Sequence, residues 1–509
     1  MQDYEESVSF LGTWGPFQRR VFFLLCLTVV PCGYNLLSVI FLLASPPHHC
    51  HIPAHSNLSE EWIQASIPLQ RSSCSRYELD LVQNLSAMGT RPKVFLSSLK
   101  QEGCKDGWIY STEYYQSTIV TECFSSWALI SEDCYVAFVA DTTLLHLYYR
   151  FGRKPVLFGS IAMLTIFSGA LAFAPSWPVF TVLFFMLGMG QIACYIVVFV
   201  LGSEILIGSS RVLFSCLFLP FVYVIAMMLL PGTAYLVRNW RQLSLAMTVP
   251  GIACIPLWRL VPESPRWLVS RGRLQEAEFI LRLAALNNRV EPPDVIFLSV
   301  EKTTSQKAES LSFLDLLRTT NIRYITLILW FSISVSYFGL SFNMSSLNGN
   351  PFLNYFLLSA IELPAYVTIW LAARSLPRRL SFISFTLLGV LALLLIQVTL
   401  HTVVLAFTLA LVLLGKYGIM AGTGMLYIYT GELSPTVIRN TAMSTCAMFS
   451  RAGSAVSPYL LQLAVFYPFL PWIVVASLSL LSVFFCIFLP ETFRQPLPDT
   501  IQQMPPTQR

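Results

Sequence analysis

The chain has 509 residues, 55% hydrophobic and 12% charged, with a formal net charge of +5 and a mean hydropathy of +0.63. Soluble proteins carry about 25% charged residues, so a soluble globular domain is excluded and an integral membrane protein is implied. There is no long basic run and no zinc-ligand spacing, which excludes nucleic acid as a partner. In a membrane protein the placement of basic residues says more than their sum.

A membrane-crossing helix needs about 20 apolar residues. The opening "MQDYEESVSFLGTWGPFQRR" is acidic and then basic, not a cleavable leader, so the first span is expected to be a retained anchor. Span 1 is predicted at 21–43, and a weak span 2 at 134–149. Spans 3 to 6 follow at 155–174, 178–200, 212–235 and 242–261. Spans 7 to 12 follow at 324–342, 352–373, 381–399, 402–427, 438–464 and 468–489. The expected fold is all-α, nominally twelve helices in two six-helix halves, with helix 2 shortened. The basic loops, including Arg19, Arg20, "RFGRK", Arg211, "PESPRWLVSRGR", "RSLPRR" and Arg439, fall on one face. That face is expected to be cytoplasmic, with both termini inside.

The domain boundaries follow as an N-terminal segment 1–20, a first half 21–261, a linker 262–323, a second half 324–489 and a tail 490–509. Within the first half, residues 44–133 form a hydrophilic loop expected outside. It holds sequons at Asn57 and Asn84, and Cys50, Cys74, Cys104 and Cys123, with Cys134 at its edge. Outside a cell such cysteines usually pair, but the pairing is not deducible from spacing. In the linker, "SRGRLQEAEFILRLAALNN" has helical apolar spacing with a charged face.

The halves repeat. "RFGRK" follows span 2 and "RSLPRR" follows span 8; "GSEILIGSSR" follows span 4 and "GELSPTVIRN" follows span 10. "PESPRWL" closes the first half and "PETFRQPLP" the second. A six-plus-six repeat with a long middle loop is the major facilitator layout, with substrate bound at midplane between the halves.

Together with "FLGTWGPFQRRVFFLL", these strings and the cysteine-bearing outer loop resemble the organic cation/anion/zwitterion transporter family of the major facilitators. "GMGQIACYIVVFVLGSEIL", "AMTVPGIACIPLW" and "SAIELPAY" are most similar to its organic cation/carnitine branch. The resemblance covers nearly the whole chain. It implies a secondary active or facilitative transporter of carnitine-like zwitterions and organic cations, working by alternating access as a monomeric unit in the plasma membrane.

Arg451 sits mid-span in "CAMFSRAGSAVSPYLL". A charge at the bilayer centre costs roughly 2.5–3.5 kcal/mol on insertion scales, so it should face the bundle interior. The resemblance implies that it takes a substrate carboxylate; pairing with an acid or a helix dipole is the structural alternative. Aromatic faces bind quaternary ammonium groups, and the resemblance offers Tyr195, Tyr427 and Tyr429 for that role, with Gln191 nearby in span 4. Packing is the alternative for each. Lys416 in span 10 and Glu362 in span 8 are further intramembrane charges, expected to pair with a neighbour. Glu204, Arg211, Glu432 and Arg439, with Arg150, Arg153 and Arg378, resemble the family's cytoplasmic gate, whose ion pairs form and break between states. Plain positive-inside topology explains the arginines as well, but not the glutamates.

Two departures stand out. The branch resembles "PNG" in span 1 and "SNY" in span 4, with asparagines implicated in sodium use; here Cys32 and Cys194 occupy those places. A thiol is a poor ligand for a hard cation, which argues against sodium coupling, and no cofactor or metal is expected. Span 2 has about 16 residues, about 24 Å of helix against a core of about 30 Å, and carries Asp141 and His146. A transport-inactive paralogue or splice form is therefore the second reading. Enzyme motifs fail: "GSEILIGSS" lacks the lysine of a phosphate loop, and there is no His-Glu-x-x-His or nucleophile elbow.

Overall fold

A computed structural model gives the fold and describes residues 8–53, 58–66, 75–87, 100–122, 152–293, 296–297, 320–343, 349–399, 405–433, 439–463, 467 and 470–493. Span 2, Arg150, Asn57, Cys74, Cys123 and Cys134 lie outside these residues. Among the described residues, eight helices are long and apolar enough to cross a membrane. They are Pro16–Leu42, Arg153–Leu171, Trp177–Ile205, Ser210–Leu236, Pro351–Ser375, Arg378–Gln397, Phe407–Leu433 and Leu470–Ile487. They correspond to spans 1, 3, 4, 5, 8, 9, 10 and 12. Span 7 is the helix Thr320–Asn343.

Spans 6 and 11 depart from single helices. Span 6 runs as Trp240–Ala246, Val249–Cys254 and a 3-10 turn Ile255–Arg259. Pro250 and Pro256 each remove a backbone donor inside it, which breaks the ladder. Span 11 runs as Arg439–Val456 and Tyr459–Leu463. The break falls at Ser457, which the following Pro458 biases away from the helical region.

Local sequence sets the helix starts. Pro16, Pro178 and Pro351 stand in first turns, where their missing N–H costs nothing. Asn350 caps span 8, its Oδ1 accepting from the Phe352 and Leu353 amides at 3.0 and 3.4 Å. The linker helix Leu274–Asn288 buries Ala277, Leu281, Ala284 and Ala285 on one face. Asn288 ties it to span 1 by accepting from the Phe17 amide at 2.9 Å and donating to Gln18 Oε1 at 2.8 Å.

The hydrophilic loop carries two small antiparallel ladders, β1 (His48–Cys50) with β4 (Trp108–Tyr110) and β2 (Ser75–Tyr77) with β3 (Gln101–Gly103). A Cys50–Cys104 disulfide ties the end of β1 to the residue after β3. Arg76 is buried between the ladders and salt-bridges Glu102 at 3.0 Å and Asp106 at 2.7 Å. Asn84 is exposed on the helix Leu79–Ala87. The sequence separation of 54 makes the disulfide worth about 4 kcal/mol in the chain-entropy account. Cys50→Ser should therefore leave this domain open to trypsin on intact cells under conditions that spare the parent. Equal protease resistance would show that the ladders hold without it.

The two halves meet at the loop face through aromatic rings. Phe41 of span 1 stacks on Phe352 of span 8, centroids 5.7 Å apart, and meets Tyr355 edge-on at 5.5 Å. Tyr115 of the loop and Tyr235 of span 5 also close on Phe352, at 5.4 and 5.8 Å.

Candidate functional site

At the basic face each half builds the same clamp. In the first, Arg153 opens span 3 and holds Glu204 of span 4 with two bonds, Nε to Oε2 at 3.0 Å and Nη2 to Oε1 at 2.9 Å. In the second, Arg378 opens span 9 and holds Glu432 of span 10, Nε at 3.1 Å and Nη2 at 2.9 Å. Bidentate forks of this kind fix orientation as well as charge.

A second acid completes each clamp, and the sequence reading missed it. Glu263 accepts from the Arg153 and Lys154 amides at 3.0 and 3.1 Å; Glu491 accepts from the Arg378 and Arg379 amides at 2.8 and 3.1 Å. Each carboxylate sits on a helix N-terminus, where the orphan N–H groups and the dipole favour an anion. The signal was present, since these are the glutamates of the matched strings "PESPRWL" and "PETFRQPLP". Gly152 makes the first clamp possible. Its φ is +104°, and a Cβ there would lie 2.7 Å from Glu263 Oε2.

Of the residues expected at the cytoplasmic gate, the described ion pairs Arg153–Glu204 and Arg378–Glu432 each lie within one half. Arg211 turns back on its own loop, donating to the Leu206 carbonyl at 3.0 Å. Arg439 opens the first helix of span 11, and its side chain lies outside the described set.

In the middle of the bundle, residues of both halves converge. Arg451 of span 11 is half-buried and within electrostatic range of Tyr195 of span 4 and Tyr223 of span 5. Tyr195 meets Tyr223 edge-on at 5.2 Å and lies in range of Tyr427 of span 10. Tyr427 is 48% exposed and edge-on to Trp330 of span 7 at 5.2 Å. Among the described residues the Arg451 guanidinium has no hydrogen-bond or ion-pair partner. Its backbone is held close to span 7: Ser450 shares a 2.6 Å hydrogen bond with Ser334, and a Cβ on Gly453 would come within 2.6 Å of the Phe331 carbonyl. The small residues allow that approach.

Other expected contacts are elsewhere. Tyr429 is fully buried and donates to the Pro490 carbonyl, so it packs span 10 against the end of span 12 and does not join Tyr427. Two residues along a helix turn about 200°, which puts the two tyrosines on opposite faces. Gln191 is spent between spans 1 and 4: its Nε2 donates to the Cys32 carbonyl at 3.3 Å, and the Cys32 thiol donates to the Gln191 carbonyl at 3.0 Å. Cys194 donates to the Thr28 carbonyl at 3.5 Å. Lys416 and Glu362 face each other at 3.3 Å, both almost fully buried. Lys416 also donates to Ser341 Oγ at 2.7 Å, and the Tyr337 hydroxyl donates to Glu362 Oε1 at 2.6 Å.

Comparison with known proteins agrees with this architecture. The family profile of the sugar (and other) transporters matches residues 108–503. Organic cation/carnitine transporter 2 of Rattus norvegicus and of Homo sapiens are each 44% identical to this chain over 529 residues, covering 99% of it and 94% of their own length. Among solved structures, the inward open conformation of the xylose transporter XylE from E. coli superposes with a TM-score of 0.59 at 16% identity, over 94% of this chain and 98% of that one. The fold is that of the major facilitators.

Proposed function

The chain belongs to the sugar (and other) transporter family, and from that premise we propose that it carries carnitine-like zwitterions and organic cations by alternating access. It is a multi-pass membrane transporter and not an enzyme. The observation that bears most on the substrate is Arg451, a half-buried cation with no hydrogen-bond or ion-pair partner among the described residues and within electrostatic range of Tyr195 and Tyr223 of the other half. A guanidinium fork suits a carboxylate, and tyrosine faces suit a trimethylammonium group. Tyr195, Tyr223 and Tyr427 are the rings assigned to it in this reading.

The aromatic closure at Phe41, Tyr235 and Phe352 supports a bundle sealed on the loop face. The two arginine–glutamate clamps keep each half rigid as the halves rock. We place the chain in the plasma membrane as a monomeric unit, with both termini cytoplasmic and the glycosylated loop outside; the exposed Asn84 is the described acceptor site.

Uptake of labelled carnitine and of tetraethylammonium in expressing cells, at measured surface level, tests the reading. Both should exceed mock-transfected cells. Uptake of neither by surface-delivered protein would sink the proposal.

Sodium should matter little. The Cys32 and Cys194 thiols are occupied with backbone carbonyls, and soft sulfur is a poor ligand for a hard cation. Replacing sodium by N-methylglucamine should change carnitine uptake by less than about twofold. A loss of tenfold, about 1.4 kcal/mol of coupling, would refute it.

A further inference from the structure

On the loop face, Phe352 of the second half is enclosed by rings that the first half supplies. Phe41 stacks on it, and Tyr115 and Tyr235 approach it at 5.4 and 5.8 Å. Phe41 and Phe352 are buried and Tyr115 is half-buried. Tyr115 differs from the other rings because it belongs to no span. It stands on segment 111–122 of the hydrophilic loop, which follows β4.

That segment is fastened to the first half. The Gln116 amide donates to the Arg238 carbonyl at 3.1 Å, and the Trp240 amide donates to the Ser117 carbonyl at 3.3 Å. Ser117 and Asn239 pair as a parallel bridge. Arg238 Nη1 donates to the Glu113 carbonyl at 3.1 Å, and Arg241 salt-bridges Glu122 at 2.8 Å. Arg241 also donates to the Ala172 carbonyl, at the end of span 3, at 3.0 Å. Thr118 and Ile119 are fully buried.

The β1–β4 ladder is a second tie. β1 follows span 1, His48 faces Tyr110, and the Ser111 amide donates to the Pro47 carbonyl at 2.8 Å. The strands are antiparallel. One end of the ladder therefore leads back along the chain to Phe41 and onward to Tyr115. Two rings on the two arms of one ladder close on Phe352.

The contacts differ in kind. Main-chain bonds within the first half cannot be given up without leaving donors and acceptors unpaired. The ring contacts to Phe352 carry no such debt, since they lose only apolar burial and a modest aromatic preference. When the halves separate on this face, the rings part and the fastenings hold.

We propose that segment 111–122 is part of the outer gate, a strap that rides with the first half and whose Tyr115, beside Phe41, shuts the substrate path against Phe352. The inference rests on the alternating-access reading. Opening on the loop face must break Tyr115 from Phe352, whereas Ser117 stays beside Asn239 through the whole cycle.

The test uses two cysteine pairs in the full chain, expressed in cells. Tyr115→Cys with Phe352→Cys bridges the halves, and Ser117→Cys with Asn239→Cys lies within the first. Each is linked with a short bis-methanethiosulfonate, the extent is read from lost biotin-maleimide labelling, and carnitine uptake is compared before and after at equal surface level. The parent, treated alike, controls for its own cysteines. Linking the first pair should stop uptake, and linking the second should leave it unchanged. Uptake that survives in the linked first pair, uptake lost equally in both, or a first pair that fails to link where the second links overturns the proposal. A second measurement needs no linking. In a chain carrying Tyr427→Cys, Tyr115→Ala should speed labelling by a membrane-impermeant thiol reagent from outside by about two- to tenfold, the weight of one aromatic pair. Ile109→Ala, at an exposed position on β4, should not. An unchanged rate in Tyr115→Ala overturns the gate role of this ring. Absence of carnitine uptake in the untreated parent overturns the transport reading and the gate with it.

Discussion

Arg451→Ala should weaken carnitine uptake about 10- to 100-fold, while tetraethylammonium uptake falls far less or rises. A hydrogen bond to a charged group is worth roughly 1.5–3 kcal/mol, and each 1.4 kcal/mol is about tenfold. The guanidinium makes no ion pair among the described residues, so its removal leaves none of their acids unpaired. The loss should therefore follow the substrate's carboxylate and spare the fold. Arg451→Lys should restore part of the uptake, because an ammonium keeps the charge but not the planar fork. Span 11 should stay in place in both variants, since Ser450 and Gly453 hold it against span 7. Uptake is read at equal surface level with both substrates. An equal fall for both would make Arg451 a structural or gating residue.

The first-half and second-half strings were legible in the sequence because internal repetition is a pattern along one dimension. The clamps they encode were legible only in part. Arg153 and Glu204 could be named as ends of spans, but their partnership depends on which helices pack together. That packing keeps each clamp inside its own half. Glu263 and Glu491 were written in the matched strings, yet their role as caps on spans 3 and 9 required the chain to return to those helix starts.

Rotation of a helix about its axis was the other hidden quantity. Tyr427 and Tyr429 have the same chemistry and stand two residues apart. Only the packed structure turns Tyr427 toward Trp330 and Tyr429 toward Pro490. Spans 10 and 4 are apolar around their whole circumference, so periodicity could not orient them. Tyr366 was recoverable. It lies four residues after Glu362, on the same helix face, and that spacing joins the buried acid to the tyrosines of the opposite half. Tyr223 and Tyr337 carried no such signal, because their importance comes from contacts with other spans.

Lys416→Met and Glu362→Gln, made singly, should destabilise the protein with opposite dependence on pH. The native pair is buried and mutually neutralised at 3.3 Å, and breaking such a pair from one side costs about 3–5 kcal/mol. In Lys416→Met the orphaned carboxylate must be buried neutral. Placing a proton on an ordinary carboxylate, pKa about 4.3, costs about 1.4 kcal/mol for each pH unit above that value. The penalty is then about 3.7 kcal/mol at pH 7 and about 1 kcal/mol at pH 5, so this variant gains stability in acid. In Glu362→Gln the orphaned ammonium must shed its proton. From an ordinary lysine, pKa about 10.4, that costs about 4.6 kcal/mol at pH 7 and less as pH rises, so this variant gains stability in alkali. Melting in detergent across pH 5 to pH 8.5 would read both slopes, with losses of about 3–4 °C at pH 7. The double variant leaves no charge to neutralise, and it should recover most of the loss and melt independently of pH in this window. Parallel slopes for the two single variants, or a double variant no better than either, would mean that water or another charge reaches the pair and that burial is not what binds Lys416 to Glu362.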